Sequence, residues 1–131
     1  MTVRSKYGAK KTVIDEITFD SKAEAQFYMH LKQLQSAGEV SGFEMQVPFI
    51  LQEGFDHPTR KIKSGKPSRV PAIKYVTDFV VTYADGSEKV IDVKGVQTTD
   101  FKLKARMFVK KYCKPLYLAK KQGRNWKIEE F

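Results

Sequence analysis

The chain has 131 residues, 41% hydrophobic and 30% charged, with 24 Lys and Arg against 15 Asp and Glu for a formal charge of +9. That length supports one domain over 1–131 with a single good core and excludes two cores. The lone Cys113 excludes an internal disulfide, fits a reducing cytoplasm, and is expected as a small core residue; the sequence has no CxxC and no zinc pattern. No apolar run reaches signal-peptide or transmembrane length, and the cationic excess points to a polyanionic partner.

Residues 1–11 form a basic, weakly patterned arm with Arg4, Lys6, Lys10 and Lys11. Thr12 to Phe19 fits a short hairpin turning at Asp15-Glu16. Ser21 then caps a helix that runs to about Ala37 and stops at Gly38, with Glu24 three residues on, as in a capping box. At 100° per residue Glu24 shares a stripe with Phe27, Tyr28, Leu31 and Leu34, so it lies on the face turned into the fold. Glu24 is therefore either a cap partner or a carboxylate delivered to a site beneath the helix.

Phe43 to Leu51 alternates as a strand, and Pro48 within it points to an edge or a kink. Gln46 falls on its polar side, solvated or within reach of a shared site. Residues 53–72 read as a loop rich in Gly, Pro and cations, with Arg60, Lys61, Lys63, Lys66 and Arg69; a phosphate-tracking flap or plain disorder would account for it. After a central hairpin, Thr98 or Thr99 caps a helix to about Tyr112. Phe101, Ala105, Phe108 and Tyr112 form its apolar face, and Lys102, Arg106 and Lys110 its cationic flank. Short strands at Leu116–Ala119 and Trp126–Ile128 complete the chain. No acidic residue occurs from Phe101 to Lys127, a one-sign stretch that suits a phosphate backbone. His30 and His57 stand too far from other nucleophilic or metal-binding residues to suggest a histidine-based site.

The central hairpin, Ile73 to Lys94, consists of two β-branched and aromatic runs joined at Asp85-Gly86. A two-residue loop would pair Asp78 with Val93 and set Asp78 and Asp92 on opposite faces. A three-residue loop, Ala84-Asp85-Gly86, pairs Asp78 with Asp92 and is expected, because Gly86 takes the left-handed conformation without strain. Val76, Asp78, Val80, Val90, Asp92 and Lys94 then share one face, and Thr77, Phe79, Val81, Ile91 and Val93 pack against a helix from the other. Like charges opposed on a sheet are unfavourable unless paired or bound to a cation. Two readings stay open on these residues alone: a metal site, or salt bridges in which Lys94 serves one aspartate and Lys74 or Lys89 the other.

The order of elements, a helix with an inward glutamate, a strand, a hairpin bearing Asp78 and then Asp92-Val93-Lys94, a basic helix and a strand, resembles the PD-(D/E)xK nucleases of the restriction-endonuclease-like superfamily. Thr77 stands where the motif has proline, and aspartate replaces glutamate at position 92. The segments Lys6-Tyr7-Gly8, Phe19-Asp20-Ser21-Lys22-Ala23-Glu24, Tyr75-Val76-Thr77-Asp78-Phe79 and Asp92-Val93-Lys94-Gly95 resemble small phage-borne endonuclease I-like proteins related to Holliday-junction resolvases. The resemblance implies an α/β fold, a mixed β-sheet core flanked by helices. It implies a Mg²⁺-dependent endonuclease, with Mn²⁺ able to substitute, acting on DNA, branched or junction DNA in particular, in the bacterial host cytoplasm, and working as a homodimer. Glu24, Asp78 and Asp92 would hold the metal and Lys94 would assist the chemistry.

Overall fold

The computed structural model describes residues 11–94 and 96–131; the basic arm expected over 1–11 lies almost wholly outside them. Among the described residues, nine strands and two helices follow in order: β1 (Thr12–Ile14), β2 (Ile17–Phe19), α1 (Lys22–Ser36), β3 (Val40–Gln52), β4 (Phe55–Lys61), β5 (Pro67–Val70), β6 (Ile73–Tyr83), β7 (Glu88–Val93), α2 (Thr99–Tyr112), β8 (Leu116–Gln122) and β9 (Asn125–Glu130). Five of the strands make a mixed sheet in the order β3-β6-β7-β8-β9, all antiparallel except the β7–β8 pair. Parallel neighbours need a crossover, and α2 supplies it. The chain is thus mixed α/β, with β7 at the centre of the sheet.

Both helices begin where side-chain caps are available. Ser21 Oγ accepts from the Glu24 amide at 3.1 Å, and Thr98 Oγ1 from the Phe101 amide at 3.1 Å. α1 buries Ala25, Phe27, Tyr28 and Leu31 against Phe79, Val81 and Ile91 on one side of the sheet. α2 buries Phe101, Ala105 and Phe108 against Tyr75, Val90, Leu116 and Leu118 on the other. The β1–β2 hairpin turns through Asp15 and Glu16, both at positive φ, and is latched to α1 by the Tyr28 hydroxyl, which donates to Asp15 Oδ2 at 2.7 Å.

Three expectations need correction. Residues 53–72 are not a structureless loop: β4 and β5 pair as a separate two-stranded ribbon, closed through Ile62–Lys66 with Gly65 at φ +87°. Its strands are wet on both faces, so no period-2 apolar signal marks them in the sequence. Cys113 is exposed at the C-cap of α2 at φ +52°, rather than in the core. The face assignment of the central hairpin holds only for its turn-proximal half. Phe43, Met45, Phe79 and Val81 pack on the α1 side, whereas Phe49, Leu51 and Tyr75, at the same parity, pack on the α2 side. The switch falls at Gln46, a non-glycine residue at φ +52°. Opposite it, the β3–β6 pairing steps from Met45↔Phe79 to Val47↔Thr77 without a Gln46–Asp78 pair.

Candidate active site

The β6–β7 register is Phe79↔Ile91, Val80↔Val90, Val81↔Lys89 and Thr82↔Glu88. The loop Ala84-Asp85-Gly86 therefore has the three residues expected, with Gly86 at φ +87° and its amide donating to the Tyr83 carbonyl at 2.9 Å. The next pair in that register is Asp78 with Asp92, and there the ladder hands over from backbone to carboxylates. The Asp78 amide donates to Asp92 Oδ1 at 2.8 Å, and the Val93 amide donates to Asp78 Oδ2 at 3.0 Å. The two aspartates so bridge a short opening between central strands, each satisfying an amide that would otherwise be orphaned.

Asp92 is 1% exposed. Its Oδ2 accepts from the Tyr75 hydroxyl, and its Oδ1 also lies 3.3 Å from Thr77 Oγ1. Thr77, buried completely, reaches the Ile91 carbonyl at 3.1 Å as well. Burial first, and then the Asp92 charge, push the Tyr75 hydroxyl far above the usual phenol range, which keeps it a donor. Asp78 is less enclosed. Gln46 Nε2 approaches its Oδ1 at 3.4 Å, brought there by the left-handed backbone at Gln46. Burial, followed by the charges of Asp92 and Glu24, raises the Asp78 pKa to about 7, against the opposing pull of the Val93 amide and Lys94.

Glu24 enters from the first turn of α1, half-buried. Its carboxyl is raised by burial and by Asp20, and partly held down by Lys94. Lys94 directly follows β7, its amide donating to the Ala119 carbonyl at 3.2 Å and its ammonium 4.6 Å from the centre of the Phe101 ring. It acts on Glu24 and Asp78 through its charge without contact: the ion pairs within 4 Å among the described residues, Arg69–Asp56, Lys104–Asp100, Lys120–Glu129 and Lys127–Glu129, all lie elsewhere. Lys89 lies 5.3 and 5.0 Å from the ring centres of Tyr83 and Tyr117. The salt-bridge reading of the two aspartates therefore finds no support here.

The donor set suits a hard divalent cation in kind. It is all oxygen, it is short of positive charge, and the Asp78 carboxyl is raised first by burial and then by neighbouring negative charge, both of which a bound cation would offset. In arrangement it is incomplete, since among the described residues no three acidic, histidine or cysteine side chains gather closely enough to form a metal cage. Asp78 and Asp92 converge; Glu24 faces them from the helix without joining them.

The cations expected to grip a backbone fall into two groups. Arg60, Lys61, Lys63 and Lys66 project from the β4–β5 ribbon, where Arg69 pairs with Asp56 at 3.4 Å. Lys102, Arg106 and Lys110 are exposed along α2. Tyr75 escaped sequence reasoning because its reach to Asp92 depends on the face switch at Gln46. Thr77 stands in the sequence on the packing face and at the motif's proline position, and neither marks it as a partner of Asp92. His57 is local structure, its Nδ1 accepting from the Arg60 amide at 2.8 Å, and His30 packs on Phe27 and Trp126.

Residues 4–124 match a family described as proteins of unknown function, DUF1064, and the chain belongs to that family. No curated protein and no solved structure matches it.

Proposed function

We propose that this member of the DUF1064 family is a metal-dependent DNA endonuclease with a restriction-endonuclease-like core, acting on branched DNA. The observation that carries the reading is the convergence of Asp78 and Asp92 at the opening between β6 and β7, with the Lys94 charge acting on Asp78 from just beyond the strand that bears Asp92. Asp78 and Asp92 would hold Mg²⁺ or Mn²⁺, with Glu24 completing the acidic set. The chemistry such a cation supplies when bound is polarisation of a phosphoryl oxygen and activation of a water.

The chain's own residues provide the rest. Tyr75 and Thr77 fix the Asp92 carboxylate in one orientation, as groups behind a reacting centre must. Lys94 offers a positive charge to the phosphate as negative charge builds on it. The ribbon cations and the α2 flank would engage backbone phosphates on either side, giving affinity without reading bases. A homodimer would bring two such centres to the two strands of a junction.

The test is incubation with supercoiled, linear and four-way-junction DNA, with and without Mg²⁺. Mg²⁺-dependent cleavage, strongest on the junction, is expected. Asp92→Ala and Lys94→Ala should abolish it, while junction binding by Lys94→Ala stays within about twofold. Absence of Mg²⁺-dependent cleavage on all three DNAs would overturn the reading. A second reading, a nucleic-acid-binding module with a silent centre, is favoured by the saturation of Asp92 by Tyr75, Thr77 and the Asp78 amide. It predicts tight junction binding, no cleavage, and no change in affinity on adding Mg²⁺.

A further inference from the structure

Beside the acidic centre lies a cavity of about 260 Å³, bounded by the β1–β2 hairpin, the first turn of α1, and β3. Its floor is apolar. Phe19 rests against Tyr28 at 5.2 Å between ring centres, and Phe79 is held edge-on by Phe27 at 5.2 Å; Ile17 and Met45 complete the walls. The rim is polar and mixed, with Thr18, Asp20, Glu24 and Gln46 offering both donors and acceptors. Gln46 and Glu24 belong to the cavity and the acidic centre alike, since Gln46 Nε2 stands 3.4 Å from Asp78 Oδ1.

A flat ligand with apolar faces and a hydrogen-bonding edge suits this combination. A phosphate does not, because two carboxylates stand at the mouth. Gln46 departs from ordinary strand geometry to reach this position, a cost that persists only where surrounding structure holds it. We propose that the cavity seats one unstacked nucleobase of the DNA strand held at the acidic centre, reading its edge through Asp20 and Gln46. The inference rests on the reading of that centre as a DNA site. Taking a base out of the stack is cheapest where pairing is already broken, so branch points and bulges would present it most readily. Acceptors at the rim favour bases with an exocyclic amine, adenine, cytosine or guanine, over thymine.

The experiment uses the full chain in EDTA, so that capture is read without cleavage, and junction DNA carrying 2-aminopurine at successive positions beside the branch. Emission should rise several-fold at one position on saturation with protein. Thr18→Trp, which fills the cavity from its exposed edge, should remove that rise while changing junction affinity, read by anisotropy, less than about twofold. Asp20→Ala serves should the tryptophan variant fail to fold; it should at least halve the preference for 2-aminopurine DNA over a thymine-substituted competitor. In parallel, saturation-transfer NMR with free deoxyadenosine and thymidine should show transfer to the first and several-fold less to the second. No rise at any position, or a rise that survives both variants, overturns the proposal. Capture without Mg²⁺-dependent cleavage would leave the base seat standing and sink the nuclease; cleavage without capture would do the reverse.

Discussion

Asp78 carries a carboxyl pushed up to about 7 by burial and by the charges of Asp92 and Glu24, so near neutrality the folded chain holds a proton that the unfolded chain has lost. Below the ordinary aspartate pKa of about 3.9 both states are protonated and the group costs nothing. As pH rises from there to about 7, the unfolded chain ionises first and stability falls; above that, both are ionised and the loss is complete. Asp78→Asn keeps an oxygen to accept from the Val93 amide but removes the charge. Its melting temperature in EDTA should therefore match wild type near pH 4 and exceed it at pH 8, and excess Mg²⁺ should narrow the difference at pH 8. A pH-independent difference would mean that the Asp78 carboxyl is not raised in the folded chain. At Asp92 the expectation is opposite in kind. Tyr75→Phe strips a donor from a buried carboxylate and should cost about 1–3 kcal/mol in urea unfolding with an unchanged m-value; a loss under about 0.5 kcal/mol would show that the hydrogen bond is not held in solution.

At the level of elements, what the sequence made legible was what local chemistry dictates. Gly86 has to follow a type I turn for Asp78 to face Asp92, and it does; Ser21 and Thr98 mark helix starts because short hydroxyl side chains satisfy the orphan amides there. What stayed hidden depends on distant partners. The left-handed Gln46 falls where β3 and β6 pair without a Gln46–Asp78 partner, and the β4–β5 ribbon has polar strands that no periodicity reveals. Because the ribbon forms its own sheet, it should be separable from stability. Charge reversal at Lys63 and Lys66 should leave the melting temperature within about 2 °C. It should also lower the slope of log K against log salt for DNA binding by roughly 0.9 for each phosphate the protein no longer neutralises. An unchanged slope would make the ribbon a bystander.

The five-stranded sheet carries a separate apolar layer on each side, and the two layers share β3, β6, β7 and β8. Strands common to both should tie them into one cooperative unit. Phe108→Ala, on the α2 side, should cost about 3–5 kcal/mol, and Trp126, on the α1 side, should report that loss in a single fluorescence transition. Two resolved transitions would show that the layers unfold apart. The broad α/β class was readable from the order of patterned segments. That Tyr75 and Phe49 serve the second layer was not, because parity along a strand cannot reveal a mid-strand reversal.

The exchange of backbone for carboxylate at the mouth of the two central strands also gives the protein a pair of built-in probes. The amide protons of Asp78 and Val93 end on side-chain oxygens, so their NMR frequencies follow the state of those oxygens, whereas ladder amides are governed by strand pairing. Titration with acid, with a divalent ion or with DNA would then be read at two named resonances, with no need for a reaction to follow.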